Sequence, residues 1–295
     1  KPILHQYFYY LNDVSPLSFH ETIDEKSLNY LDEKKYNFTK IYNFNHTAIV
    51  FKFPYLRTSF IKTGMPVTKI ISSTFFNTFF LACASIIFAL IFGVLFGVVS
   101  ALTKDSFFDR FLLYFSVVGM ALPSFFSSII VAWVFGYLLH NFTGLNMYGS
   151  LYELDDYGVS NSLVLKNLIL PAFTLGIRPL AVIVQLSRNS LLEVLSMDYI
   201  RTAHAKGLNK KIVIFKHALR NSLNPVITAV SGWFASLLAG AVFVEYIFAW
   251  NGLGKEIVDA LNNMDLPVVM GSVLFISVIF IAVSYTHLRA HETRH

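Results

Sequence analysis

An all-α polytopic membrane protein is the fold class the sequence predicts, and three observations carry that prediction. Hydrophobic residues make up 55% of the chain and charged residues 14%, against about 25% charged in ordinary soluble domains. The apolar residues gather into runs long enough to cross a bilayer, which takes about 20 residues in a helix. Between those runs the Lys and Arg residues are shared out unevenly, as they are between the two sides of a membrane.

In chain order, the first 70 residues are rich in Tyr, Phe and Asn and lead into the apolar part. The opening "KPILHQYFYY" has no initiator Met and no signal-peptide pattern. Five segments of membrane or near-membrane length follow, at about 75–102, 111–139, 167–187, 225–249 and 267–284. Residues 285–295, "YTHLRAHETRH", lack apolar periodicity and read as translated adapter or vector sequence, so they are set aside as a non-native tail. Three regions result: 1–70, a membrane domain 71–284, and the tail 285–295.

Loop charges orient the spans. The loop 188–224 carries Arg188, Arg201, Lys206, Lys210, Lys211, Lys216 and Arg220 against Glu193 and Asp198. The loop 140–166 offers only Lys166 against Glu153, Asp155 and Asp156, and 250–266 offers Lys255 against Glu256, Asp259 and Asp265. The positive-inside rule places 188–224 and the turn "TKDSFFDR" in the cytoplasm and the two acidic loops outside. Segment 1–70 then lies outside, although 1–74 holds nine basic residues; long segments cross largely regardless of charge. A translocated segment with no signal peptide implies a helix ahead of it, making about six spans in the intact protein with five visible here.

Several chemistries lack their residues. Cys83 is the only cysteine, so one chain builds neither a disulfide nor a Cys-based zinc site. The string closest to a phosphate-binding loop, "NGLGKE", lacks the first glycine and ends in Glu where a hydroxyl would bind magnesium. No H-E-x-x-H pair and no nucleophile elbow occurs, and no metal site is expected. The chain reads as no enzyme by itself.

Within the spans, Arg178 stands open between a pathway or partner-helix contact and a local pairing that stabilises packing. Glu245 is a second candidate for a pathway or helix contact, but it lies near the outer end of the fourth segment, close enough to the surface to be solvated. Pro123 and Pro171 are possible kinks, and Gly93 with Gly97 allows close helix approach. An ion-coupled secondary transporter would show inverted repeats and midplane ionisable groups, and neither stands out. A non-transporting membrane assembly protein would need no docking helix.

The stretch 198–225, "DYIRTAHAKGLNKKIVIFKHALRNSLNP", bears on that last point. From Asn189 onward, Leu191, Leu192, Val194, Leu195, Tyr199 and Ala203 recur at helical spacing, and Gly207 ends the helix. Leu208, Ile212, Phe215 and Leu219 mark one face of a second helix, with Lys210, Lys211, Lys216 and Arg220 off it, suiting an interface near anionic headgroups. A basic loop that only sets topology would look similar. The small residues Thr202, Ala203, Ala205 and Gly207 add a surface that a partner can approach closely.

This segment resembles the cytoplasmic E-A-A-x-x-x-G loop of ABC-transporter permeases, with Arg201, Thr202, Ala203 and Gly207 in the E, A, A and G places. Arg replaces the motif's Glu, Thr its first Ala, and Arg220 its later Pro. "DYIRTAHAKGL" and "HALRNSLNPVIT" resemble the B-type permease subunit of the dipeptide/oligopeptide importers. So do "VVGMALPSFF", "GAVFVEYIFAWNGLG" and "MDLPVVMG", and the likeness runs from about residue 62 to 284.

The resemblance implies an importer-type ABC permease with six helices in a bacterial inner membrane. It would form half of a translocation path for peptides or related small solutes. Its partners would be a second permease, two ATPase subunits, an extracytoplasmic substrate-binding protein and membrane lipid, with no nucleic acid. ATP and magnesium would sit on the ATPases and no cofactor on this chain. Asp198, Arg201, Thr202, Ala203, Ala205 and Gly207 would form the ATPase-coupling helix.

Overall fold

The computed structural model describes residues 2–24, 27–33, 35–154 and 161–292. Asp155 and Asp156, counted above in the acidic loop, lie outside the described residues. The chain divides into two compact units, residues 1–71 with 260–272, and residues 72–259 with 273–295.

The first unit adds a small sheet to the all-helical expectation. Helix α1 (Ile3–Val14) leads into β1 (Leu17–Glu21), β2 (Phe38–Phe44) and β3 (Thr47–Lys52), antiparallel in the order β1-β3-β2. Central β3 alternates, with Ala48, Val50 and Lys52 turned inward, as a half-buried strand does. Ala48 and Val50 pack with Leu31 and Tyr36. Asp13, buried at the end of α1, accepts from Tyr36 Oη at 2.6 Å and Arg57 Nε at 2.9 Å. Lys52 Nζ lies 4.2 Å from the centre of the Tyr36 ring, which also meets the His20 ring at 4.7 Å, the Tyr55 ring at 5.3 Å and Lys35 Nζ at 4.6 Å. Ahead of the last helix, Asp265 accepts from Ser59 Oγ at 2.5 Å and from the Phe60 amide at 3.1 Å.

The second unit is helical apart from one short hairpin. It begins in α2 (Val67–Leu102), α3 (Phe107–Ala121) and α4 (Ser124–Val131), which runs on through π-helical Ala132–Leu138 into α5 (His140–Thr143). The hairpin β4 (Tyr152–Leu154) and β5 (Asn161–Leu163) precedes α6 (Lys166–Leu195) and α7 (Asp198–Ala205). Then α8 (Lys210–Ile212), π-helical Val213–Ala218 and α9 (Leu219–Ser222) lead to α10 (Asn224–Gly240) and α11 (Val242–Ile247). Helices α12 (Leu253–Asn262) and α13 (Leu266–Glu292) complete the chain.

Among the described residues three helices, α2, α6 and α13, are each long and apolar enough to cross a membrane, and two bent pairs raise the number to five if each pair is one span. The expected span 111–139 is not a single rod: α3 and the following helix meet at 110°. Pro123 holds its own φ at −61° and lacks an N–H, and the residue before a proline is pushed out of the helical region, with Leu122 at ψ 127°. Ahead of the fourth apolar run, residues 210–222 are themselves helical and meet 224–239 at a 46° bend. By contrast, α6 runs on through Pro171 and Pro179 as one helix. It is the most enclosed of the spans, packed on by α3, α4, α9, α10 and α11.

Helix α2 meets α6 through glycine. A Cβ on Gly93 would lie 2.7 Å from Ile183 Cγ2, and one on Gly97 would lie 2.5 Å from Ser187 Cβ and 2.8 Å from the Val184 carbonyl. Lipid tails are as apolar as the side chains, so close backbone approach and dispersion hold such pairs. Gly97→Val should therefore separate the two helices and cost about 1–3 kcal/mol. Thermal unfolding of the detergent-solubilised protein would show it, and an unchanged midpoint would refute the packing.

The first unit carries a pH dependence. Burial, and next the charge of Lys52, lowers the His20 pKa from 6.5 to about 4. The unfolded chain thus takes up a proton below pH 6.5 that the folded unit refuses until about pH 4, so stability falls as pH drops through that window. Hydrogen exchange of the β1 and β3 amides should show about 1–3 kcal/mol less protection at pH 5 than at pH 7. His20→Gln should flatten the difference.

Candidate functional site

The basic end of α6 and the helices after it build the site. Helix α6 stops at Leu195, and Met197, extended at ψ 150°, redirects the chain into α7. Asp198 stands in the first turn of α7, where a carboxylate suits the positive end of the helix dipole. Its 3.3 Å pair with Arg201 is exposed on both sides and adds little stability. At the other end Gly207 adopts φ +74°, with open space where a Cβ would lie. Backbone conformation, not crowding, therefore asks for glycine there.

One expectation about α7 is corrected. Ala203 was read as part of the small exposed surface, but it is buried together with Ile200, Val98, Ala101, Leu191 and Val213. Ile200 and Ala203, three residues apart, are the stripe that seats the short helix on the body of the protein. Arg201, Thr202, Ala205 and Gly207 remain exposed, as do His204 and Lys206. The surface offered to a partner is thus the Thr202–Ala205 side.

The second helix is also turned. Of the expected apolar face, Leu208, Ile212 and Phe215 are exposed and Leu219 is half-buried. The chain instead buries Val213, Ile214, Ala218 and Ser222. Ile214, Ala218 and Ser222 stand at four-residue spacing, so the buried stripe is the helical face next to the expected one, and it runs through the π-helical stretch Val213–Ala218. The outward face, Ile212 and Phe215 beside Lys211 and Lys216, keeps the makeup of an interfacial surface.

Beneath α7 lies a clamp that sequence reasoning did not find. Asp109 is 1% exposed and accepts from Arg188 Nε and Nη2, each at 2.7 Å. It also accepts from the Asp105 amide at 3.0 Å and from the Ser100 hydroxyl. Ser106 caps the start of α3 by accepting from the Asp109 amide at 3.1 Å. One carboxylate thereby joins the end of α2, the turn after it, the start of α3 and the end of α6. The signals present in the sequence were the Ser-x-x-Asp cap of "SFFD" and an acid standing opposite a basic loop.

The solvated reading of Glu245 is a second correction. Its side chain is 0% exposed, and its Oε2 accepts from the amides of Gly254 at 2.7 Å and Lys255 at 3.1 Å, capping the start of α12. A Cβ on Gly252 would strike the Glu245 carboxylate, and one on Gly254 would lie 2.6 Å from Val242 Cα. The glycines of "NGLGKE" therefore serve a protein carboxylate. Around this cap, Trp250 Nε1 donates to the Asn77 carbonyl at 3.1 Å and Asn77 Nδ2 to the Asn251 carbonyl at 2.7 Å. The Leu253 amide donates to Thr78 Oγ1 at 2.8 Å.

Arg178 stands midway along α6, exposed, and has no ion-pair or hydrogen-bond partner among the described residues. The local pairing considered for it is not made. Pro123 lies at the 110° break, and Pro171 lies inside the N-terminal half of α6.

Comparison with known proteins adds the following. A family model described as "Binding-protein-dependent transport system inner membrane component" matches residues 93–289. A dipeptide transport system permease protein of Alkalihalophilus pseudofirmus is 36% identical over 241 residues, covering 76% of this chain and 71% of that protein. A di/tripeptide transport system permease protein of Pseudomonas aeruginosa is 39% identical over 220 residues, covering 70% and 65%. An oligopeptide transport system permease protein of Bacillus subtilis is 37% identical over 226 residues, covering 76% and 69%. Among solved structures, the MetNI methionine ABC transporter in inward-facing conformations aligns with a TM-score of 0.58 at 14% identity, over 77% of this chain and 96% of that one. A similarity at that identity concerns the fold alone.

The clamp generates a prediction. Asp109→Asn strands the Arg188 guanidinium in a buried place, and breaking such a pair costs about 3–5 kcal/mol. Arg188→Lys should not rescue, because an ammonium lacks the two-pronged geometry. In the double variant Asp109→Asn/Arg188→Gln the loss should be smaller than the sum of the single losses, measured by thermal unfolding; full additivity would contradict the pairing.

Proposed function

This chain belongs to the family of binding-protein-dependent transport system inner membrane components, and on that premise we propose that it is the permease subunit of an ATP-driven importer for peptides or related small solutes. It forms half of the translocation path, the other half coming from a second permease. Two ATPase subunits carry ATP and magnesium, and an extracytoplasmic binding protein delivers the solute. The observation that carries this reading is α7, a short helix seated by two residues and exposed elsewhere, at the basic end of the most enclosed span.

In this reading the basic loop 188–224 is cytoplasmic and segment 1–70 is extracytoplasmic. Thr202 and Ala205 meet a groove on an ATPase, and Asp198 and Arg201 flank the contact. Gly207 sets the turn that lets α7 stand off from the helix after it. Closure of the ATPases pushes α7, and the push passes through its buried Ile200–Ala203 seat into the neighbouring spans. The coupling thus has two sites and two states, as an allosteric mechanism requires. The break at Pro123 is where the path helices bend.

The test uses single cysteines in a Cys83→Ser background, with the neighbouring transport genes co-expressed so that the complex assembles. Thr202→Cys and Ala205→Cys should crosslink to an ATPase subunit in a nucleotide-sensitive way, and Ala203→Cys, buried in the chain, should crosslink at least tenfold less. Crosslinks from none of the three in an assembled complex would return the segment to a loop that only sets topology.

A further inference from the structure

The polar residues of α6 are arranged in a line. Between residues 168 and 186 of α6 the polar side chains are Thr174, Arg178 and Gln185 alone. Together with Asn167 before them and Asn189 after, they follow spacings of seven, four, seven and four. Those spacings return to one face of a helix. At about 1.5 Å per residue, Arg178 stands about 18 Å from Lys166 and about 15 Å from Arg188, close to the middle of a bilayer.

The line is covered at one end and open at the other. Asn167, Pro171 and Thr174 are buried. Asn167 donates to the Ser150 carbonyl at 3.0 Å and to Glu153 Oε1 at 2.7 Å, and accepts from Asn146 at 3.1 Å. From Arg178 toward the basic end the cover stops: Arg178 and Asn189 are exposed, and Gln185 is half-buried, its nearest polar contact the Met120 sulfur at 3.7 Å. Arg188 makes its clamp with Asp109 and also donates from Nη1 to Asn189 Oδ1 at 3.3 Å, which leaves the Asn189 amide nitrogen and the second lone pair of its oxygen to the open side.

A bare guanidinium at mid-bilayer is costly against lipid, so this face meets water, a solute or protein. Pairing with one carboxylate on a neighbouring helix would need Arg178 alone. The line continues instead through Gln185 to Asn189, about 16 Å farther along the axis. That is the extent of a route, not of a single contact. We propose that Arg178, Gln185 and Asn189 form a wetted lane for a carboxylate-bearing solute, with the Arg178 guanidinium meeting the carboxylate. This rests on the permease reading and adds to it the residues and the charge of the cargo. Arg178 attracts the anionic end, planar and two-pronged to match it, and the two amides carry the solute onward by exchanging hydrogen bonds with it.

The experiment reads charge and water together. In the Cys83→Ser background, Gln185→Cys is exposed to an anionic and to a cationic methanethiosulfonate, in the assembled complex. Ile169→Cys, on an exposed apolar face of α6, serves as the unreactive control. Both reagents should modify position 185, and Arg178→Gln should lower the anionic-to-cationic rate ratio about tenfold, since the charge stands two helical turns away. Arg178→Lys should restore most of the ratio, and Asn189→Cys should show the same trend more weakly. No reaction at 185 or 189 would mean that a partner helix covers this face, and an unchanged ratio would mean that the guanidinium faces elsewhere; either outcome overturns the lane. Uptake driven by ATP is measured in the same preparations. Its absence without the Arg178 substitutions sinks the permease reading itself, whereas uptake with an unresponsive ratio sinks only the lane.

Discussion

The Asp109–Arg188 clamp is the interaction on which the architecture at the basic end of α6 depends. In a solvent of lipid tails, apolar faces give helices no strong preference for one another, so position must be set by directional contacts and close packing. Asp109 supplies direction at the one place where α2, α3 and α6 end together. Desolvating two charges is expensive, and a buried pair is stabilising only when the remaining lone pairs are also satisfied. Here Ser100 and the Asp105 amide take up those lone pairs, which makes the charge tolerable and the geometry specific.

Two of the buried carboxylates lean on backbone donors near a helix start. Asp109 accepts from the Asp105 amide in the turn before α3, and Glu245 accepts from the amides of Gly254 and Lys255 in the first turn of α12. Asp13 is held by side chains instead, those of Tyr36 and Arg57. Arg178 differs from all three, a charge in mid-helix with no hydrogen-bond or ion-pair partner among the described residues.

Packing and mechanism meet in α6. Its face toward α2 is pressed close by Gly93 and Gly97, its polar line is covered only in part, and its last turns carry both the clamp and the approach to α7. A displacement at α7 would therefore reach α6 at the end that the clamp holds. The weak point in the neighbourhood is the α3–α4 break, where a proline has removed the hydrogen bonds that would resist bending.

Much of this protein was determined by the sequence alone. The membrane class, the third span and the end of the helix at Gly207 follow from hydropathy, charge and local backbone preference, and the family resemblance follows from short strings such as "DYIRTAHAKGL"; all of these depend on near neighbours in the chain. Tertiary structure decided the rest. Asp109 and Arg188 are 79 residues apart, and nothing local pairs them. Ala203 looked like surface because small residues suit both a docking face and a tight seat, and only its neighbours Val98 and Leu191 tell which. Glu245 looked solvated because distance along a span says nothing of what folds over it, here the glycines of the following loop. In the helix after Gly207, Ile212, Phe215 and Leu219 and the set Ile214, Ala218 and Ser222 share the same helical spacing, and only packing decided that the second set is the buried one. The sheet of the first unit stayed hidden for the same reason: strand pairing joins residues whose partners lie elsewhere in the chain, and composition does not name them.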